Sequence, residues 1–405
     1  MSDPSRVRVS GPLEPFAAGF AGWLAEQGYP PSSVALQLHL VAHLSRWLAV
    51  EGRDPGELDD EAVEAFVASR RACGYSAHRT SRSLVGLLGY LRGVGVVPAR
   101  PERVPKGPVE ELLWRYQRYL VRERGVGAST VRGYLGAVRP FLDGRVSSDG
   151  ERLDLAHLQA GDVMAFVVAR CSSQSRGSAK VTVSALRSLL GFLYLEGVID
   201  RRLATAVPSV ANWRLSGLPK GLSPDEVAGL VASCDRRSVS GRRDLAMLLL
   251  LSRLGMRAGE VARLELGDID WRAGEIVVRG KGDRRERLPL PAEVGAAIAA
   301  YLRDGRPETA RGRTVFIRRK APHRELTGDG VSAVVAASAR RAGLSVIYAH
   351  RLRHTVASDL LRAGSSLVEV GQVLRHRSLL TTAIYAKVDF DALRTIARPW
   401  PGGEA

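Results

Sequence analysis

Cysteine is scarce in this chain of 405 residues, and the three present, Cys73, Cys171 and Cys234, stand far apart without a Cys-x-x-Cys spacing. That spacing speaks against a disulfide framework or a thiolate zinc site and leaves buried free thiols as the reading. Long apolar runs are missing too: none approaches the roughly 20 residues that span a bilayer. The opening MSDPSRVRVS has no apolar segment behind a basic start, so the expectation is a cytoplasmic protein with no membrane partner. A G-x-x-x-x-G-K-S/T phosphate loop is absent, as is any cluster of carboxylates suited to two-metal catalysis. Neither ATP nor a metal is therefore expected, and no cofactor.

Positive charge is what the chain has in excess. Its formal net charge is +17 and its isoelectric point about 10.4, which suits a partner of dense negative charge such as a nucleic acid, because each neutralised phosphate releases condensed counterions. The excess is uneven. Residues 1–107 hold 12 Lys and Arg against 11 Asp and Glu, residues 108–217 hold 15 against 10, and the remainder 32 against 21. The main anion-binding surface is thereby expected in the C-terminal half.

The first half reads as a duplication with a period of about one hundred residues. The segment Leu24 to Leu48 resembles Leu120 to Leu142: in each, a Gly-containing break and a Ser/Thr cap precede a helix with apolar residues at helical spacing. LDDEAVEAFV (58–67) pairs with LQAGDVMAFV (158–167), and SLVGLLGYLRGVGVV (83–97) with ALRSLLGFLYLEGVI (185–199). The order and length of elements are expected to agree between the copies. Two connectors poor in helical periodicity, 97–108 with four prolines and 203–221, divide the chain into expected domains at 1–100, 108–205 and 218–405. After the second connector, Ser223-Pro224-Asp225-Glu226 forms a capping box with proline at the first helical position, a strong helix start.

The last block reads as helix, small sheet, then helices, an α+β and mostly helical pattern. Asp244 to Leu254 is apolar nearly all round, as a buried helix is, and it ends at Gly255, just before Arg257. Ile269 to Leu290 alternates as a hairpin whose polar turn carries Lys281. Thr314 to Ile317 is expected to add a strand, and Val331–Ala342, Leu352–Ala363, Leu367–Leu374 and Leu379–Ala386 to be helices. Arg257, Lys281, His350, Arg353, His376 and Tyr385 follow one another through this block. Five are cations or potential cations and the sixth is a tyrosine, so the set reads as an anion clamp around one nucleophile.

The strings that carry these residues are G-M-R-A-G-E at 255–260, V-R-G-K-G-D around Lys281, H-R-L-R-H-T-V-A at 350–357 and L-R-H-R-S-L-L-T-T-A-I-Y at 374–385. Together they resemble the signature boxes of the tyrosine site-specific recombinases, the phage integrase family, over about residues 110–390. The resemblance implies a helical core-binding domain at 108–205 and a catalytic domain with a small antiparallel sheet at 218–405. The repeat at 1–100 is then an extra core-binding-like domain of SAM-like type. It implies a DNA recombinase of integrase or transposase type, acting on a mobile genetic element and associated with the nucleoid. Double-stranded DNA with specific recombination sites, a homotetramer on two duplexes and accessory DNA-binding proteins are the partners implied. Two departures stand out: Leu254 where the family often has Thr, and Arg375 where it often has Gly.

The chemistry agrees with the resemblance. In-line displacement at a phosphodiester builds negative charge on the non-bridging oxygens, and arginine offers a permanent planar fork that lysine lacks. Arg257 and Arg353 are the natural clamp. Tyr385 is the expected nucleophile; with a free pKa near 10 it must lose its proton as the bond forms. His350, three residues before Arg353 and so on the same helical face, is the expected general base. Lys281 is expected to protonate the leaving 5′ oxygen, His376 to hydrogen-bond a non-bridging oxygen, and Glu260 to orient Arg257. Each residue taken alone also has a plain reading: a surface arginine, a solvated turn lysine, a structural histidine, a core tyrosine. His354 keeps the structural one, and Arg375 is either a phosphate contact or part of a solvated helix face. Two alternatives share parts of the pattern, a type IB topoisomerase-like nicking-closing enzyme and a non-catalytic sequence-specific DNA-binding protein.

Overall fold

The computed structural model describes residues 3–99, 105–210, 221–280, 284–376 and 382, which are mainly helical with one three-stranded sheet. Cα packing divides the chain into two compact units, residues 99–213 and a second made of residues 1–98 with 214–405. Hydrophobic clusters subdivide it further. One gathers side chains from Val9 to Val97, one from Val109 to Val207, one from Leu222 to Leu352, and a small one from Val356 to Leu374.

The first cluster is enclosed by α1 (Glu14–Glu26), α2 (Pro31–Glu51), α3 (Asp60–Ala72) and α4 (Val85–Gly93). The same order returns as α5 (Pro108–Arg122), α6 (Ala128–Asp143), α7 (Ala160–Cys171) and α8 (Arg176–Leu195). The paired segments fall on corresponding helices, but the lengths do not all agree: α4 has 9 residues against 20 in α8. Local capping accounts for the difference. Ser175 starts α8 by accepting the Ser178 N–H, whereas Thr80 makes no such bond, and His78 takes a left-handed φ of 53° that interrupts the run.

The C-terminal segment opens with α9 (Pro224–Ala232), where Ser223 and Glu226 exchange the bonds of a capping box at 3.2 and 2.8 Å. Helix α10 (Val239–Arg253) follows, with Leu245 to Leu251 all buried. Each leucine so placed contributes roughly 1.5–3 kcal/mol relative to exposure, which makes α10 the rigid element from which the following loop departs. That loop leads into the short α11 (Ala258–Ala262). Three antiparallel strands come next, β1 (Ile269–Asp270), β2 (Glu275–Arg279) and β3 (Arg285–Pro289), in the order β1-β2-β3 with Ile276 opposite both Ile269 and Leu288. Thr314–Ile317 is not the third strand. Thr314 makes only an isolated bridge to Glu265 and Ile317 one to Glu325, while β1 is the strand that pairs with β2.

Helices α12 (Ala292–Asp304), α13 (Gly328–Arg341), α14 (Ala349–Arg362) and α15 (Leu367–Val373) complete the described fold. The expected helix at Leu379–Ala386 lies, apart from Thr382, outside the described residues. Within the larger unit, the α1–α2 turn meets the segment before α13. The His323 N–H donates to the Gln27 carbonyl at 3.0 Å, and Arg311 pairs with Glu26 at 3.1 Å. Gly28 sits there at φ +86°, where a Cβ would come 2.1 Å from His323 Nδ1. Among the described residues no helix is long and apolar enough to cross a membrane.

Candidate active site

The loop after α10 turns at Gly255, whose φ of +56° a side chain would strain. Arg257 then becomes the N-cap of α11, and its own backbone N–H is held by Glu260 Oε2 at 2.8 Å. Its guanidinium is fixed from two sides: Nη1 donates to Glu260 Oε1 at 2.6 Å and Nη2 to the Arg375 carbonyl at 3.3 Å. The side chain is still 44% exposed, so it keeps donors for a ligand. The expectation that Glu260 orients Arg257 matches this geometry.

Glu260 is itself only 2% exposed. Burial alone would raise its pKa, but the charge of Arg375 and the bonds from Arg257 outweigh that and hold it below the usual carboxylate value. It is therefore an anion in the wall of the site. Arg375 reaches its Oε2 at 2.9 Å with a side chain 4% exposed, so this arginine does not belong to a solvated face.

Helix α14 carries His350 in its first turn and Arg353 in its second. Arg353 is 2% exposed; its Nη1 donates to the Gly255 carbonyl at 2.5 Å and its Nη2 to the Leu374 carbonyl. One guanidinium thus ties the α10 exit loop to the end of α15, the segments that bear Arg257 and His376. His350 keeps a face open to solvent, yet packing around its ring and the charges of Arg353 and Arg257 lower its pKa. His354 stacks edge-on against it with centroids 4.3 Å apart, and desolvation, His350 and Arg353 bring His354 down to about 4. His376 Nδ1 lies 2.8 Å from Thr382 Oγ1, and burial followed by Arg353 and Arg257 lowers its pKa to about 4. At neutral pH these imidazoles are uncharged, able to take a proton or to make a neutral hydrogen bond.

A cleft of about 780 Å³ opens over these groups, with Arg257, Arg263, Arg284, Arg375, His376 and Thr382 on its wall beside Glu260 and Glu286. The ends of the hairpin turn, Gly280 and Arg284, line it and close on each other through the Gly280 N–H and Arg284 carbonyl at 2.8 Å. Arg257 and His376 therefore share one cleft; Arg353 and His350, both on α14, are not among the described residues that line it. Lys281 and Tyr385 lie outside the described residues. Arg263, Arg284 and Thr382 join the cleft without having been singled out. Only Arg284 left a trace in the sequence, as the neighbour of the Lys281 turn. No cluster of three or more His, Cys, Asp or Glu able to hold a metal occurs among the described residues.

The model of the phage integrase family matches residues 220–392, and that of the phage integrase N-terminal SAM-like domain matches residues 113–197. The putative integrase/recombinase y4rA of Sinorhizobium fredii is 43% identical over 400 residues, 97% of this chain and 95% of that protein. The tyrosine recombinase XerD of Mycobacterium tuberculosis is 35% identical over 306 residues, 72% of this chain and 96% of its own length. Among solved structures, XerH recombinase bound to a palindromic difH substrate superposes with a TM-score of 0.59 at 20% identity, covering 74% of this chain and 98% of that one. A lambda integrase dimer bound to a COC′ core site gives 0.51 at 20% identity, over 73% and 98%. At such identity these two likenesses concern the fold.

Proposed function

Because the chain belongs to the phage integrase family and is a tyrosine-type site-specific DNA recombinase, we propose that it cleaves and rejoins double-stranded DNA through a 3′-phosphotyrosyl intermediate on Tyr385. Two duplexes are held by a homotetramer, and strands exchange through a Holliday junction. Residues 108–205 and 218–405 act as the core-binding and catalytic domains, and residues 1–100 as an additional helical domain. Accessory DNA-binding proteins and association with the nucleoid belong to the same reading.

In the reaction, the Tyr385 hydroxyl oxygen attacks the scissile phosphorus while the bond to the 5′ oxygen breaks. The tyrosine proton passes to His350, which is neutral and able to accept it, and Lys281 gives a proton to the departing 5′ oxygen. Arg257 and Arg353 take the charge that grows on the non-bridging oxygens, with His376 donating a hydrogen bond alongside. Losing one such preorganised donor costs on the order of 10²–10³ in rate. Attack by another strand's 5′ hydroxyl on the phosphotyrosine reverses the bonds, so one phosphoester replaces another and no energy source is consumed.

The observation that supports this reading most directly is the joining of Arg257 and His376 in one cationic cleft, with Arg353 tying their two loops together. That XerH and lambda integrase, of the same fold, are bound to their DNA sites agrees with a DNA partner here. The test incubates wild type and Tyr385→Phe with nicked, labelled target DNA in EDTA. A covalent adduct that depends on Tyr385 is expected. Cleavage that survives the substitution, or that needs metal, defeats the mechanism.

A further inference from the structure

Arg375 occupies a position that its residue type does not favour. It follows the last turn of α15 at φ +56°, and among the described residues only His78 shares a left-handed backbone without being glycine. Glycine is the usual residue at such a helix end because it has no Cβ to clash. The arginine side chain must therefore contribute something that glycine cannot.

Its contacts show what. Nη2 meets Glu260 Oε2 at 2.9 Å, and Nη1 donates to the Val373 carbonyl at 3.0 Å. Nε is buried with no partner among the described residues, so the terminal nitrogens alone hold the group. The Arg375 backbone carbonyl meanwhile accepts Arg257 Nη2, and the preceding carbonyl, Leu374, accepts Arg353 Nη2. Two consecutive carbonyls thus each hold one of the two clamp arginines. Charge follows the same logic. Glu260 with Arg257 alone is a neutral pair, and a neutral pair attracts a phosphate poorly. With Arg375 on the second carboxylate oxygen the group carries one net positive charge, and Arg257 faces the cleft as an effective cation.

We propose that Arg375 is a positioning residue for DNA cleavage: its guanidinium neutralises Glu260 and its left-handed carbonyl aims Arg257, without touching the phosphate itself. The proposal rests on the reading of Arg257 as a phosphate ligand.

Two measurements test it. The first needs no chemistry: half-site DNA affinity against salt concentration for wild type, Arg257→Ala, Arg375→Gly and the double variant. If Arg375 acts through Arg257, the affinity lost in Arg257→Ala is much smaller in the Arg375→Gly background, and Arg375→Gly binds less tightly than wild type. Additive losses, or a salt slope falling by about one more unit in the double variant than in Arg257→Ala, would make Arg375 a phosphate contact and overturn the proposal. The second is the single-turnover rate of adduct formation at saturating DNA. Arg375→Gly is expected to be at least tenfold slower. Arg375→Lys, which keeps a cation and tests against simple misfolding, falls between. A rate in Arg375→Gly equal to wild type rejects the assignment. A wild-type protein that forms no adduct counts against the phosphotyrosyl mechanism instead, and the binding cycle still decides the role of Arg375.

Discussion

Glu260 grips Arg257 twice, accepting its backbone N–H on Oε2 at 2.8 Å and its guanidinium Nη1 on Oε1 at 2.6 Å. The main chain and the side chain of one arginine are thereby fixed by a single buried carboxylate, and the cleft inherits a rigid cationic wall.

Replacing Glu260 by Gln is expected to weaken both the fold and the activity. Arg375 would keep its buried guanidinium without a carboxylate, and breaking a buried pair from one side costs roughly 3–5 kcal/mol. Charge-assisted bonds to Arg257 are worth about 1.5–3 kcal/mol, so adduct formation should slow by about one to two orders of magnitude. A thermal melt and a single-turnover assay check both; a variant that melts and cleaves like wild type would contradict the arrangement.

Gly255→Ala probes the loop that leads to Arg257. The left-handed backbone costs a Cβ-bearing residue roughly 1–2 kcal/mol, and the new Cβ would approach Leu374 Cδ2 to 2.7 Å. Because Arg353 bonds the Gly255 and Leu374 carbonyls, the two loops are expected to separate and the cleavage rate to fall more than the stability alone explains. Comparing the rate well below the melting temperature with the denaturant midpoint distinguishes the two effects, and a rate loss that vanishes on cooling would refute the local account.

The histidines set a pH dependence. His354 and His376 have folded pKa values of about 4, and His350 is lowered as well. An unfolded chain binds those protons near pH 6.5, so the unfolded state takes up more protons than the folded state between about 6.5 and about 4. Stability is therefore full above pH 6.5 and declines as the pH falls through that window. Glu260, also lowered, adds a loss at the acid end. Denaturant midpoints at pH 7 and pH 5 should differ, and the difference should shrink in His354→Gln. An equal difference in the variant would show that these rings are not its source.

Much of the architecture was readable from local pattern. The capping box at Ser223, the all-apolar run of α10 and the alternation across β2 and β3 are determined within a few residues of chain, which is the range over which caps and periodicity act. The two runs of four helices were legible for the same reason, while the shortness of α4 was not, because it turns on a missing side-chain cap at Thr80 and a left-handed backbone at His78. The third strand is β1 rather than 314–317, and its two residues at 269–270 carry too little pattern to announce it.

By itself the sequence determined which chemistry is present: six reactive side chains in order, a basic C-terminal half and strings shared with one family. Residue type and spacing suffice for that. Tertiary structure alone decided how the charges are balanced, because Glu260 and Arg375 lie 115 positions apart and meet only where the exit of α10 packs against the end of α15. Arg353, 98 positions from Gly255, closes the same junction. A salt bridge depends on a few ångströms of separation, and no distance along the chain predicts it.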